Sequence, residues 1–149
     1  ETISHNYPHC PRSDTPLIYR SVSTWFVRVE ALRQRLIDAN KEINWTPRHF
    51  KTGRFGNWLE GARDWAVSRN RVWGTPLPLW QNDETGALEC IGSRADLEKI
   101  SGVKVHDLHR DGVDNITFTK ANESGVYRRV PEVLDCWFES GCMPFAQHH

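Results

Sequence analysis

Seven tryptophans in 149 residues set the hardest demand on how this chain folds. They are Trp25, Trp45, Trp58, Trp65, Trp73, Trp80 and Trp137, against three Tyr and one Met. Each indole is a large rigid apolar body with one N–H that needs an acceptor once it leaves water. Most of them are therefore expected in the core, and any left over would line a surface for something flat or apolar. Trp58 and Trp65 stand seven residues apart, the spacing of one helix face. At 38% hydrophobic and 26% charged, the chain reads as folded rather than disordered. No apolar run approaches the ~20 residues of a membrane span, so no membrane partner is expected. The length fits one domain on the usual scale of about 100–200 residues.

Charge divides the chain. Nineteen Lys/Arg balance nineteen Asp/Glu, which excludes a basic nucleic-acid arm or an acidic tail as a description of the whole. Residues 1–80 nevertheless hold 12 Lys/Arg against 7 Asp/Glu, and residues 81–149 hold 7 against 12. Ten of the first 12 are Arg, whose planar fork suits phosphate or carboxylate better than Lys does. Ordinary solvated helix faces give the same pattern. Cys10, Cys90, Cys136 and Cys142 form no C-x-x-C pair and read as reduced thiols of a cytoplasmic protein. The start, Glu1-Thr2-Ile3-Ser4-His5, has neither an initiator Met nor a signal-peptide pattern, so a piece of a longer protein is expected. His148-His149 reads as native or as the remnant of a tag.

Residues 1–16 read as loop. Leu17–Arg20 and Thr24–Val29 read as short strands, and Glu30–Ile43 as an amphipathic helix. Thr46-Pro47 starts a second helical pattern that runs past Gly53 and Gly56 to Ala66. Pro76 and Pro78 lack N–H donors and make Gly74–Trp80 an extended exit. Gln81–Gly86 is a polar turn and Ala87–Ile91 a strand. Ser93, with Asp96 three residues on, caps a helix to about Ile100 that ends at Gly102. Residues 103–125 look like a loosely structured insert. Arg128–Leu134 reads as a strand leading into Asp135-Cys136-Trp137-Phe138-Glu139-Ser140-Gly141.

Nucleotide-binding glycine loops and nucleophile elbows are absent from the sequence. His5, His9 and Cys10 cluster near one end and Cys142, His148 and His149 near the other, but their spacings match no zinc pattern. Arg63, Trp65, Arg69, Arg71 and Trp73 form the densest basic and aromatic segment. Cations for phosphate and π-faces for bases suit single-stranded nucleic acid, while Arg–Trp stacking also occurs inside ordinary structures. Trp137 sits between two carboxylates where a strand delivers it. It either walls an apolar pocket, as residues at strand ends of α/β sheets do, or anchors a turn.

Three blocks give a resemblance. They are Tyr7-Pro8-His9-Cys10-Pro11-Arg12-Ser13-Asp14-Thr15-Pro16-Leu17-Ile18-Tyr19, then Gly56–Trp65 continuing through Ser68-Arg69-Asn70-Arg71-Val72-Trp73-Gly74-Thr75-Pro76-Leu77-Pro78, and then Arg128–Gly141. In this order they resemble the isoleucyl-tRNA synthetases. The R-D-W-x-x-S-R…W-G-x-P-x-P block is shared with the valyl and leucyl siblings. The D-C-W-F-E-S-G form is similar to the isoleucine type of the eukaryotic-like branch.

The resemblance implies a fold: mixed α/β, part of a Rossmann-type class I synthetase core. Residues 1–80 would return from the editing insertion into the catalytic core, 81–127 would form a small mixed α/β insert, and 128–149 would supply a core strand and the substrate-pocket turn. It implies isoleucine–tRNA ligase activity in the parent protein, with ATP and Mg, isoleucine and tRNA(Ile) as ligands and the remaining segments of the same synthetase as partners. Trp137 would pack against the isoleucine side chain. Arg63, Trp65, Arg69, Arg71 and Trp73 would position the core or the tRNA acceptor end. The family's His-Ile-Gly-His and Lys-Met-Ser-Lys-Ser motifs for ATP are not in this sequence, so no catalytic residue is expected and the isolated chain should be inactive. A valyl or leucyl sibling, or a free-standing RNA-binding module, are the alternatives.

Where some members carry C-x-x-C and a zinc knuckle, this chain has Cys10-Pro11-Arg12-Ser13 and Gln81-Asn82-Asp83-Glu84. Zinc needs about four N or S ligands in a tetrahedral array. The chain is therefore expected to bind none, and elemental analysis finding roughly one zinc per chain after chelator-free purification would refute this.

Overall fold

The computed structural model describes residue 2 and residues 4–148; Glu1, Ile3 and His149 lie outside it. The N-terminal segment turns back on itself, with His9 bridging Pro16. Leu17–Arg20, expected as a strand, is irregular, and β1 is only Phe26–Val27. A 3-10 turn (Glu30–Leu32) leads into α1 (Arg33–Glu42). The second expected helix is broken. It becomes α2 (His49–Thr52) and α3 (Arg54–Glu60) with Gly53 between them. The chain then leaves helix altogether, and β2 (Trp65–Ala66) pairs antiparallel with β1. Trp58 and Trp65 therefore do not share a helix face.

What ties the three helices together is a buried amide. Asn40, on α1, donates from Nδ2 to the carbonyl of Lys51 at 2.9 Å and accepts the Trp45 indole N–H at 2.8 Å. Trp45 in turn packs on Phe55 of α3, ring centres 4.7 Å apart.

Beyond β3 (Ser68–Arg69) the chain builds a four-stranded antiparallel sheet. Its strands are β4 (Leu79–Asn82), β5 (Leu88–Cys90), β6 (Thr117–Phe118) and β7 (Tyr127–Arg129), in the order β5-β4-β7-β6. Two helices connect β5 to β6: α4 (Arg94–Ser101) and α5 (Arg110–Val113). As its sequence suggests, α4 begins at Ser93, whose Oγ accepts the Asp96 N–H at 3.1 Å, and ends at Gly102 in the left-handed region. The sheet and α4 enclose the main core of Trp80, Ile91, Leu97, Val105, Val113, Ile116, Phe118 and Tyr127.

Residues 103–125 thus correct the expectation of a loose insert. Val105, Val113, Ile116 and Phe118 are among the best-buried side chains of the chain. Val113 and Ile116 sit three apart across a single turn, too short a span to show helical periodicity. The lines expected at 80/81 and 127/128 run through β4 and β7. β8 (Val133–Leu134) then returns to pair antiparallel with β3, and α6 (Cys136–Gly141) and α7 (Met143–Ala146) follow. Every strand pair among the described residues is antiparallel.

The tryptophan expectation is also corrected. Trp80 is 3% exposed and donates its N–H to the Ile116 carbonyl at 2.9 Å. Trp58, Trp73 and Trp137 are 64%, 77% and 72% exposed. The reason lies in the elements that carry them: α3 is one short helix with a narrow buried face, and Trp73 and Trp137 project from a loop and a helix first turn.

The sheet's distal turns are held by one side chain. Asn82, 1% exposed, accepts the N–H groups of Glu84 and Thr85 at 2.9 Å each and donates to the Ser124 carbonyl at 2.8 Å. It ties the β4–β5 turn to the loop before β7. Gly125 closes on it so tightly that a Cβ there would lie 2.4 Å from Asn82 Oδ1. Asn82→Ala strands three polar partners, each of which costs about 1–3 kcal/mol when buried without a bond. We expect a loss of about 1–3 kcal/mol in urea unfolding of the chain, because the loop partners can recover water.

Candidate functional site

A cleft of about 560 Å³ opens where β3, β8 and the first turn of α6 meet the loop 71–75. Its walls include Arg69, Arg71, Trp73, His109, Asp135, Trp137 and Glu139. Four of the six residues singled out from the sequence are here: Arg69, Arg71, Trp73 and Trp137. Arg63 is exposed outside the cleft. Trp65 stands behind it, its ring 5.9 Å from that of Phe138 on α6.

Asp135 organises the floor. It follows β8 and caps α6, with its carboxylate accepting the Trp137 N–H at 3.1 Å. Its own N–H reaches the Val67 carbonyl at 2.7 Å. Its second oxygen pairs with the Arg69 guanidinium, whose Nη1 also donates to the carbonyls of Ala66 and Ser68. The side chain of Asp135 is almost fully covered while Arg69 is partly open. The Trp137 N–H and the Arg69 charge hold the Asp135 carboxyl below the usual carboxylate range, against the upward push of burial. This arrangement fixes the first turn of α6, and so fixes where the Trp137 indole projects.

The opposite wall is a loop under close constraint. Gly74 has φ +148, which strains any residue with a Cβ, and a Cβ there would lie 3.0 Å from Val133 Cγ2 and crowd that side chain. The Thr75 N–H donates to Glu139 Oε1 at 3.1 Å, and the Thr75 carbonyl accepts the Leu134 N–H at 2.7 Å. Trp73 stacks on His109, centres 5.0 Å apart at 24°. Glu139 is one of the two carboxylates that flank Trp137 in the sequence, whereas His109 carries no sequence signal that links it to the cleft. Their relation to the loop 71–75 is set by contacts that span dozens of residues, which no local pattern reports.

The cleft offers two exposed indole faces and an arginine, Arg71, that is in none of the ion pairs among the described residues. That suits an apolar side chain or flat group carrying a charged end. Among the described residues no three His, Cys, Asp or Glu side chains gather as metal ligands. The four cysteines are free thiols.

Residues 7–149 match the family described as tRNA synthetases class I (I, L, M and V). The chain belongs to that family. Within it, the chain is 63% identical over 147 residues to an isoleucine–tRNA ligase of Bdellovibrio bacteriovorus and 55% identical over 148 residues to one of Protochlamydia amoebophila. A Treponema denticola isoleucine–tRNA ligase is 55% identical over 147 residues. Each match takes in 99% of this chain, and the chain spans about 13–14% of the length of these synthetases. The mixed α/β fold and the resemblance to isoleucyl-tRNA synthetases both stand. No helix of the described residues is long and apolar enough to cross a membrane.

The Asp135 geometry yields a pH dependence. Its folded pKa lies below the unfolded value of about 3.9, so its contribution is complete above that value and is lost as pH falls through the folded one. Asp135→Asn should therefore be less stable than the parent near neutrality, and the two stability curves should converge on acidification below about pH 4. Urea midpoints measured across that range check it.

Proposed function

We propose that this chain is an internal part of an isoleucine–tRNA ligase and that the cleft receives the isoleucine side chain. The observation that carries the reading is the near-complete match to isoleucine–tRNA ligases at 55–63% identity. The cleft supports it with an apolar wall, Trp137, on a capped helix turn. Trp73 stands in the same cleft and supplies a second indole face. An antiparallel seam joins β3 to β8, and the reading makes this seam part of a Rossmann-type core completed by the rest of the protein. Residues 1–80 would return from an editing insertion, 81–127 would be a small insert whose ends fall within β4 and β7, and 128–149 would carry the pocket turn.

In the reaction, the isoleucine carboxylate attacks the α-phosphate of ATP, pyrophosphate leaves, and an adenylate forms. A ribose hydroxyl of tRNA(Ile) then attacks the adenylate carbonyl and AMP leaves. Magnesium supplies charge neutralisation on the ATP phosphates. The described residues offer no carboxylate or imidazole cluster that fits it. This chain's residues bind and orient. Trp137 and Trp73 enclose the aliphatic group, Asp135 and Arg69 hold the turn, and Arg71 lines the cleft with no ion-pair partner among the described residues. Arg63 and Trp65 act at a distance, on the core or the tRNA acceptor end. Phosphate chemistry belongs to other segments of the same protein, and the isolated chain is inactive. The free thiols fit a cytoplasmic protein.

Trp137→Ala in the complete synthetase is expected to raise the isoleucine KM strongly and leave the ATP KM nearly unchanged, since the change strips apolar contact from one ligand only. Trp58→Ala, on an exposed position outside the cleft, should leave both constants alone. Isoleucine-dependent pyrophosphate exchange reads both. An unchanged isoleucine KM in Trp137→Ala would assign Trp137 to anchoring the turn instead, and exchange by the isolated 149-residue chain would overturn its assignment as inactive.

A further inference from the structure

We propose that His109 is a positioning residue for the cleft, a stacking platform that the small antiparallel unit extends to Trp73. The inference rests on the isoleucine reading of the cleft. Trp73 lies on an irregular loop and is 77% exposed, so its indole needs an external support to hold one orientation. That support is the His109 ring, parallel to within 24° at 5.0 Å. His109 is itself locked. Its Nδ1 lies 2.7 Å from Asp107 Oδ1, and the same oxygen accepts the His109 N–H at 2.8 Å. The imidazole edge is therefore tied to its own loop, and its face is free to stack.

A second contact fixes the register between the two segments. Arg110 donates from Nη1 to the carbonyl of Arg71 at 3.0 Å and from Nε to Asp114 at 3.0 Å. Asp114 also accepts the Nε of Arg129 at 2.6 Å, on β7 in the sheet. The backbone two residues before Trp73 is thus tied through two guanidiniums to the folded unit, while Gly74 on its other side is pressed against Val133. The 107–110 loop meets the cleft wall at both its backbone and its indole. A ring stacked in this way restricts the Trp73 side chain before substrate arrives, so less ordering is lost on binding.

His109 acts through its ring face rather than its proton, which the test separates. In the complete synthetase, His109→Ala should raise the isoleucine KM about two- to tenfold, the range of one aromatic pair. The ATP KM should stay within about twofold and the melting temperature should be nearly unchanged, because the side chain is more than half exposed. His109→Phe, which keeps a ring but cannot titrate, should restore the isoleucine KM. An unchanged KM in His109→Ala, a parallel rise in both constants, an unfolded Ala variant, or a Phe variant as impaired as Ala would each overturn the proposal. Trp137→Ala run alongside separates the two readings. If it raises the isoleucine KM while the His109 variants are silent, the cleft reading stands and the role of His109 falls; if it is silent too, the cleft reading itself has failed.

Discussion

A buried guanidinium ties the entry and exit of the four-stranded sheet together. Arg129 has 1% of its side chain exposed. Its Nε donates to Asp114 at 2.6 Å and its Nη1 to the Glu132 carbonyl at 3.0 Å, with Leu77 O at the limit of contact, 3.5 Å. Leu77 lies where the chain enters the four-stranded sheet and Glu132 where it leaves. One side chain therefore spans the entry and exit of a unit more than fifty residues long. Nη2 lies against the same Asp114 oxygen without hydrogen-bonding geometry. A buried charge is tolerated only when paired and hydrogen-bonded, and removing one partner of such a pair typically costs about 3–5 kcal/mol. Asp114 carries that duty for Arg129 while also holding Arg110.

From this junction the geometry of the cleft follows. With entry and exit strands fixed, the Leu77 N–H meets the Glu132 carbonyl, Pro76 bridges Val133, and Leu134 bonds to Thr75. The loop carrying Trp73 and the strand leading to Trp137 then run side by side. Gly74 permits that closeness, and Asp135 converts the end of β8 into the start of α6. The charge asymmetry of the sequence takes a local form at this seam: Arg69 from the basic first part finds Asp135 from the acidic second.

Local signals in the sequence are legible where the physics is local. Ser93, Asp96 and Gly102 bound α4, because a cap and a left-handed terminator act within one helix. The amphipathic pattern before Ile43 gives α1. The prolines at 76 and 78 give an extended exit. What the sequence concealed depends on distant partners. Trp65 has helical spacing from Trp58, yet Gly61 ends the helix and β1, some forty residues upstream, captures Trp65 and Ala66 as a strand. The core at 113–118 is hidden because Val113 ends α5, Ile116 lies in the link and Phe118 ends β6, and they make one surface only after the sheet forms. At the cleft, Trp137, Trp73, Arg69 and Arg71 were legible as residues. Their assembly was not, since it needs His109 and the Arg110–Asp114–Arg129 chain to bring the parts together.

The proposed cleft also sets a limit on its own selectivity. Its walls facing an aliphatic group are indoles, one on a helix turn and one on a loop, and the site is open to solvent. Apolar walls can refuse a side chain too large to fit, but they hold a smaller one with only the contact of a methylene lost. That difference discriminates by about 10–200-fold. Arg69 and Asp135 are spent on each other and on the backbone, and neither can sense a missing methyl. On the isoleucine reading, tightening the Trp73–His109 stack would improve affinity for isoleucine and for valine together, because a stacked indole presents the same face to both. On that same reading, rejection of valine would have to come from chemistry that acts after binding, at a site whose size test runs in the opposite direction, admitting the smaller side chain and excluding the larger.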